Sequence, residues 1–339
     1  MKKKYLAAGA LSGIAGSLIA WKFLGRKNEI VWDDVAEKVV HSEHSNFVEI
    51  DGMHVHYQEF GVINDPTLVL IHGYTASTYV WHSVAPLLAK NGFRVVALDL
   101  IGFGYSSKPS WFDYSIVSQA RVVSRFMNRL GIGRASLVGS SYGGAVASTV
   151  TLDYPERVEK LVLVDAVCND DVAKDNPLLK FVQMRGIGEF LVPFFSGSKL
   201  FAKFRMQNTM SAENHHLITA DRIDSVMRPL NAKDGHHSVL ATARNWDACR
   251  IQEDAQYINQ PTLIVWGEKD TVIPIQNGYK LHEAILNSRF VIFRESGHVP
   301  QEEKPELFVE VVTDFCRSSK GQIEISENEQ MKLAEPANS

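Results

Sequence analysis

The chain has 339 residues, 45% of them hydrophobic and 22% charged, with a formal net charge of −4. That is enough apolar material for a full core, the balance of a globular rather than a disordered protein, and no basic excess of the kind that holds nucleic acid. The charge is uneven, since six of the 35 Lys and Arg residues fall in residues 1–28 with no acid among them, leaving 29 basic against 39 acidic side chains beyond.

In chain order, Lys2-Lys3-Lys4 lead into an uncharged stretch from Tyr5 to Trp21, interrupted by Lys22 and continued by Phe23-Leu24. Residues 5–24 come to about the 20 residues a helix needs to cross the hydrocarbon core, with Lys22 able to snorkel to the headgroups. Residues 1–28 are therefore expected to be a membrane anchor. A cleaved signal segment is the rival, disfavoured because Leu18 stands where a small residue would precede cleavage. Basic residues flank both ends, so orientation stays open.

Phe47–Ile50 and Val55–Phe60, joined at Asp51-Gly52, read as a β-hairpin. Short apolar runs follow at 67–71, 94–98, 135–138, 161–164, 262–265 and 290–293. Runs without alternation suit strands buried on both faces of a largely parallel sheet. Helical patterns lie between them at 80–90, 117–130, 145–154, 277–286 and 305–315, which makes the chain an α/β protein. Only the interval from Asp165 to Pro261 breaks the rhythm, having no convincing strand. The division expected is a core in two parts, 46–166 and 259–317, a helical cap with its return helix at 167–258, and a disordered polar tail at 318–339.

Gly139-Ser140-Ser141-Tyr142-Gly143 follows the strand Ser136-Leu137-Val138 and opens the helix beginning Gly144-Ala145. This is G-x-S-x-G at a strand–turn–helix junction, where small residues let a strained nucleophile turn pass close to neighbouring backbone. The glycine frame is centred on Ser141 rather than Ser140, and a helix N-terminus just beyond it directs amide hydrogens at developing negative charge.

With that motif the chain resembles the α/β-hydrolase superfamily from about Phe47 to Arg317. Four further segments match in order: His72-Gly73-Tyr74, the loop Asp99-Leu100-Ile101-Gly102-Phe103-Gly104-Tyr105-Ser106, Trp266-Gly267-Glu268-Lys269-Asp270, and Ser296-Gly297-His298 with Pro305 beyond. Among its branches the chain looks like capped monoacylglycerol lipases and small bacterial lipases or carboxylesterases. The resemblance implies an α/β-hydrolase fold and a Ser141–Asp270–His298 triad, with an oxyanion hole made by the backbone N–H groups of Tyr74 and Tyr142. Asp165, ending the run 161–164, is the rival acid; Asp270 is favoured by its motif. Asp99 is expected to brace the Gly102–Ser106 loop, and His72 to be a structural residue beside the oxyanion loop.

The chemistry implied is hydrolysis of a small-molecule carboxylic ester or lipid, a lipophilic ester or monoacylglycerol, through an acyl-enzyme on Ser141. Cleavage of a carbon–carbon bond or peracid formation on the same residues, and a non-catalytic binding protein on the same fold, are the alternatives. No cofactor is implied, because Gly102-x-Gly104 lacks the third glycine and helix of a dinucleotide fingerprint. No metal is implied either, since Cys168, Cys249 and Cys316 are isolated and no carboxylate completes a frame around His54 and His56, His215-His216 or His236-His237. These histidines are read as surface or cap residues. Phe181, Phe190, Leu191, Phe194 and Phe195 either line an acyl pocket or simply pack the cap.

Overall fold

The structure, a computed structural model, describes residues 31–170 and 177–318. One eight-stranded sheet runs in the order β1-β2-β4-β3-β5-β6-β7-β8. The hairpin β1 (Ser45–Ile50) and β2 (Met53–Phe60) pairs antiparallel and adds antiparallel to β4 (Arg94–Leu98). From β4 onward every pairing is parallel, through β3 (Thr67–Ile71), β5 (Ala135–Ser140), β6 (Val158–Val164), β7 (Thr262–Gly267) and β8 (Ser288–Phe293).

The unalternating runs have the cause the sequence suggests. In β3, Leu68 and Leu70 face one apolar cluster while Val69 and Ile71 face another on the opposite side, and Val95/Ala97 against Val96/Leu98 divide the same way in β4. The helices α1 (Trp32–Val35), α2 (Ala85–Lys90), α3 (Ile116–Arg129) and α4 (Tyr142–Asp153) precede β6. One cluster is completed by α3 and α4 through Val123, Phe126 and Val146, the other by Leu88 of α2 and, late in the chain, by Phe308 and Val312. Both faces are thus covered, as a parallel sheet requires.

Between β6 and β7 the described residues hold helices and no strand: α5 (Pro177–Gln183), α6 (Ile187–Ser196), α7 (Lys199–Thr209), α8 (Ala220–Leu230), α9 (Gly235–Arg244) and α10 (Cys249–Asp254). After β7 come α11 (Gln276–Ala284), α12 (Pro300–Glu303) and α13 (Pro305–Arg317). The ends of β3, β4, β5, β6 and β7 deliver His72, Asp99, Ser141, Asp165 and the turn to Asp270 at the same carboxyl edge, where open α/β sheets bind ligands.

One expectation is corrected. Among the described residues no helix is long and apolar enough to cross a membrane, and the anchor read at residues 5–24 lies outside them. A membrane-anchored protein is therefore not supported. The tail read as disordered also lies outside the described residues beyond Ser318.

Candidate active site

Ser141 stands between β5 and α4 with φ 54° and ψ −120°, a conformation that L-residues rarely hold. The elbow is tied on both sides: the Ser141 N–H donates to the Val164 carbonyl (2.9 Å), and its own carbonyl accepts from Gly144 (2.9 Å) and Val167 (3.0 Å). Gly143 is required because a Cβ there would run into the carbonyl of Ile71. Gly73 comes so close that a Cβ on it would lie 3.0 Å from that of Ser141. Positive φ recurs near this edge at Thr75, Asp165 and Glu295, and elsewhere at His41, Asp51, Tyr114 and Asp234.

His298 Nε2 lies 3.0 Å from Ser141 Oγ, and His298 Nδ1 lies 2.8 Å from Asp270 Oδ2. The Nδ1–H donates to the carboxylate, which leaves Nε2 to accept from the serine hydroxyl. The Asp270 side chain is fully buried, and its other oxygen accepts from the amides of Val272 (2.7 Å) and Ile273 (3.1 Å). Asp165 sits within the same cluster but accepts from the Gly267 N–H at 2.9 Å instead. Burial first, and then the charge of Asp270, push the Asp165 carboxyl well above the usual carboxylate range. Two buried carboxyls packed so closely disfavour double ionisation, and of the two it is Asp270 that accepts from His298 Nδ1.

The upstream loops are braced by buried polar groups. His72 Nε2 accepts from the Leu100 N–H (3.0 Å), so its Nδ1–H donates to the Gly73 carbonyl (2.7 Å). Burial lowers the His72 pKa, and the ring stays neutral in this role. Asp99 accepts from the Thr78 and Tyr105 amides at 2.6 and 2.8 Å and from His56 Nδ1 at 2.7 Å. His56 is therefore not a surface residue, as the sequence suggested, but a fully buried partner of Asp99. Tyr142 follows Ser141 and Tyr74 follows Gly73, which packs against Ser141, and neither amide has a backbone acceptor among the described residues. Of the aromatic residues considered for an acyl pocket, Phe181 and Phe190 are 49% and 57% exposed, Phe195 packs on Phe201 at 4.4 Å, and the Phe194 side chain falls outside what is described.

A family model described as the alpha/beta hydrolase fold matches residues 66–305. The chain belongs to the α/β-hydrolase family. The hydrolase is 30% identical to the uncharacterized hydrolase YugF of Bacillus subtilis over 79% of this chain and 96% of that one. It is 28% identical to the 2-hydroxy-6-oxononadienedioate/2-hydroxy-6-oxononatrienedioate hydrolase of Burkholderia vietnamiensis, over 84% of this chain and all of that one. Among solved structures it resembles a membrane phospholipase A described as a bacterial virulence factor, with TM-score 0.68 and 25% identity over 91% of this chain and 96% of that one.

Three contributors to the site of this hydrolase escape sequence reasoning. Glu303 accepts from the amides on either side of His298, Gly297 at 2.8 Å and Val299 at 3.4 Å, and with its second oxygen from Ser211 N–H and Asn214 Nδ2, both at 2.8 Å. Trp246 lies against Tyr74 and Tyr142, with ring centroids 5.6 and 5.2 Å away. Arg205 of α7 donates from Nη1 to Thr75 Oγ1 at 2.8 Å. Nothing in the sequence separates these from exposed Glu, Trp and Arg; only their docking does.

Proposed function

We propose that this α/β-hydrolase cleaves a carboxylic ester through an acyl-enzyme on Ser141. The observation that carries the reading is the continuous relay from Ser141 Oγ to His298 Nε2 (3.0 Å) and from His298 Nδ1 to Asp270 Oδ2 (2.8 Å). A serine hydroxyl is too weak an acid to attack an ester unaided at neutral pH, so His298 removes its proton as Oγ bonds to the carbonyl carbon. The amides of Tyr74 and Tyr142 receive the oxyanion, a contribution of about 3 kcal/mol per donor. Collapse breaks the C–O bond, the alkoxide leaves with the proton from His298, and water repeats the cycle to free the acid. Asp270 holds the imidazole tautomer and stabilises the imidazolium.

The helical insertion between β6 and β7 is read as a cap over this edge, with the substrate held between cap and sheet. The lipophilic character first expected of the ester now rests on the apolar residues of that insertion and on similarity to a phospholipase. Similarity to a 2-hydroxy-6-oxononadienedioate hydrolase supports a second reading, hydrolysis of a carbon–carbon bond beside a ketone by the same three residues.

Fluorophosphonate labelling and an ester panel test the first reading. Wild type is expected to label at Ser141 and to turn over p-nitrophenyl acyl esters, with Ser141→Ala losing both. Full turnover by Ser141→Ala sinks the proposal, and labelling with turnover only of 2-hydroxy-6-oxo dienoates transfers it to the second reading. Folded wild type that does not label at all favours a binding protein.

A further inference from the structure

Helix α7 touches both halves of the candidate site. Its last residue, Thr209, accepts the backbone N–H of His298 at 2.7 Å, and Thr271 Oγ1, beside Asp270, donates to the Asn208 carbonyl at 2.7 Å. Arg205 lies four residues back, about 6 Å along the axis. Its guanidinium reaches Thr75 Oγ1 at 2.8 Å, and Thr75 follows Tyr74 in the loop whose Gly73 packs against Ser141. A single helical turn therefore spans from the histidine loop to the oxyanion loop, with Ser141 between them.

What this cation lacks is an anion. In the same insertion Arg222 is paired with Glu302 at 2.6 Å and Arg244 with Glu189 at 2.9 Å. Among the described residues no carboxylate accompanies Arg205, and of its five N–H donors one is used. Its one electrostatic neighbour is the phenol of Tyr74, which burial keeps neutral. Burial also lowers the guanidinium pKa, but arginine remains charged at neutral pH. A half-buried charge without an anionic protein partner, held on the loop whose Gly73 packs against Ser141, has the chemistry of a ligand contact.

We propose that Arg205 binds a carboxylate on the substrate, so that the hydrolase selects monoanionic esters over neutral ones of the same shape. A planar guanidinium matches a carboxylate fork-to-fork. This deepens the ester reading and rests on it. It assigns a class, esters carrying a carboxylate within a few bonds of the scissile carbonyl, and a residue that fixes their orientation.

The test compares two anionic esters with their carboxamide counterparts. In one pair the charge is on the acyl side (mono-p-nitrophenyl glutarate); in the other it is on the leaving group (4-butyryloxybenzoate). Wild type is expected to favour the anionic member of one pair by about tenfold to a hundredfold in kcat/KM, the worth of a charge-assisted hydrogen bond. Which pair shows the preference tells on which side the carboxylate lies. Arg205→Met should bring that ratio close to one, chiefly through KM, and Arg205→Lys should leave an intermediate ratio. Equal rates on both members with wild type, or a ratio unchanged in Arg205→Met, overturns the proposal. Should Arg205→Met not fold, the wild-type ratio and Arg205→Lys decide. If no ester turns over while Ser141 still labels, it is the ester reading that fails. Protection of Ser141 from fluorophosphonate by glutarate, present in wild type, weakened in Arg205→Lys and lost in Arg205→Met, then tests the anion site by itself, and no protection of wild type rejects it.

Discussion

At the scale of single residues, Ser141 couples reactivity to strain. Its φ of 54° is imposed by the amides and carbonyls on either side, and a non-glycine residue held there costs about 1–3 kcal/mol. Ser141→Gly should therefore raise stability by about 1 kcal/mol in denaturant melts while abolishing turnover, whereas Ser141→Ala keeps the strain. The two acids beside His298 should behave oppositely. Asp270→Asn is expected to lower kcat by about a thousandfold or more, since it upsets the tautomer His298 needs. Asp165→Asn should keep most activity, because an amide oxygen still accepts from Gly267. A carboxyl whose folded pKa is raised binds more protons when folded than when unfolded, so its contribution to stability falls as pH rises from its unfolded value near 4. Melts from pH 4 to 8 should show wild type losing stability relative to Asp165→Asn as pH increases. Sequence could nominate both acids but not separate them physically, because each ends a strand at the same edge. The distinction lies in a hydrogen bond to His298 and in burial, which appear only once β6 and β7 are side by side.

Elements tell a similar story. The strands were legible from their apolar runs because every strand from β4 to β7 is buried on both faces. Helix α4 begins three residues before the apolar pattern does, at Tyr142 rather than Ala145, since Gly143 and Gly144 are poor helix formers kept for close packing against Ile71 and Ala166. The helical pattern at 80–90 splits into a 3₁₀ turn, Thr78–Trp81, and α2, where Pro86 opens the second piece. The histidine loop was legible as a motif, but its support was not. Glu303 holds that loop and the start of the segment after α7 with one carboxylate. Glu303→Gln keeps one acceptor oxygen and loses the other. It should lower kcat about tenfold to a hundredfold by loosening His298, with a smaller change in KM, as read from steady-state kinetics and the rate of fluorophosphonate labelling.

For the whole molecule, the question is what fastens the insertion to the sheet. Arg222 of α8 meets Glu302 of α12 at 2.6 Å, with 9% and 2% of their side chains exposed. Removing one member strands the other as a buried charge. Arg222→Met alone should cost about 3–5 kcal/mol, while Arg222→Met with Glu302→Gln should recover much of the loss. Denaturant melts of the four proteins in the double-mutant cycle measure this coupling. The fold was readable at this scale because alternating strands and helices admit few arrangements. The seating of the insertion was not, since it depends on buried polar pairs whose members look like any surface Arg and Glu.

The carbonyl of Thr209 on the His298 amide has a practical consequence for engineering. Chimeras that exchange the segment between β6 and β7 are an obvious way to change what such an enzyme accepts. Here that segment also supplies the acceptor for the histidine's backbone. A transplanted insertion with an ideal pocket, but with α7 ending one residue early, would leave that amide unsatisfied and turn over slowly. Libraries that vary the insertion while holding residues 208–214 fixed should yield new selectivities without that loss of rate.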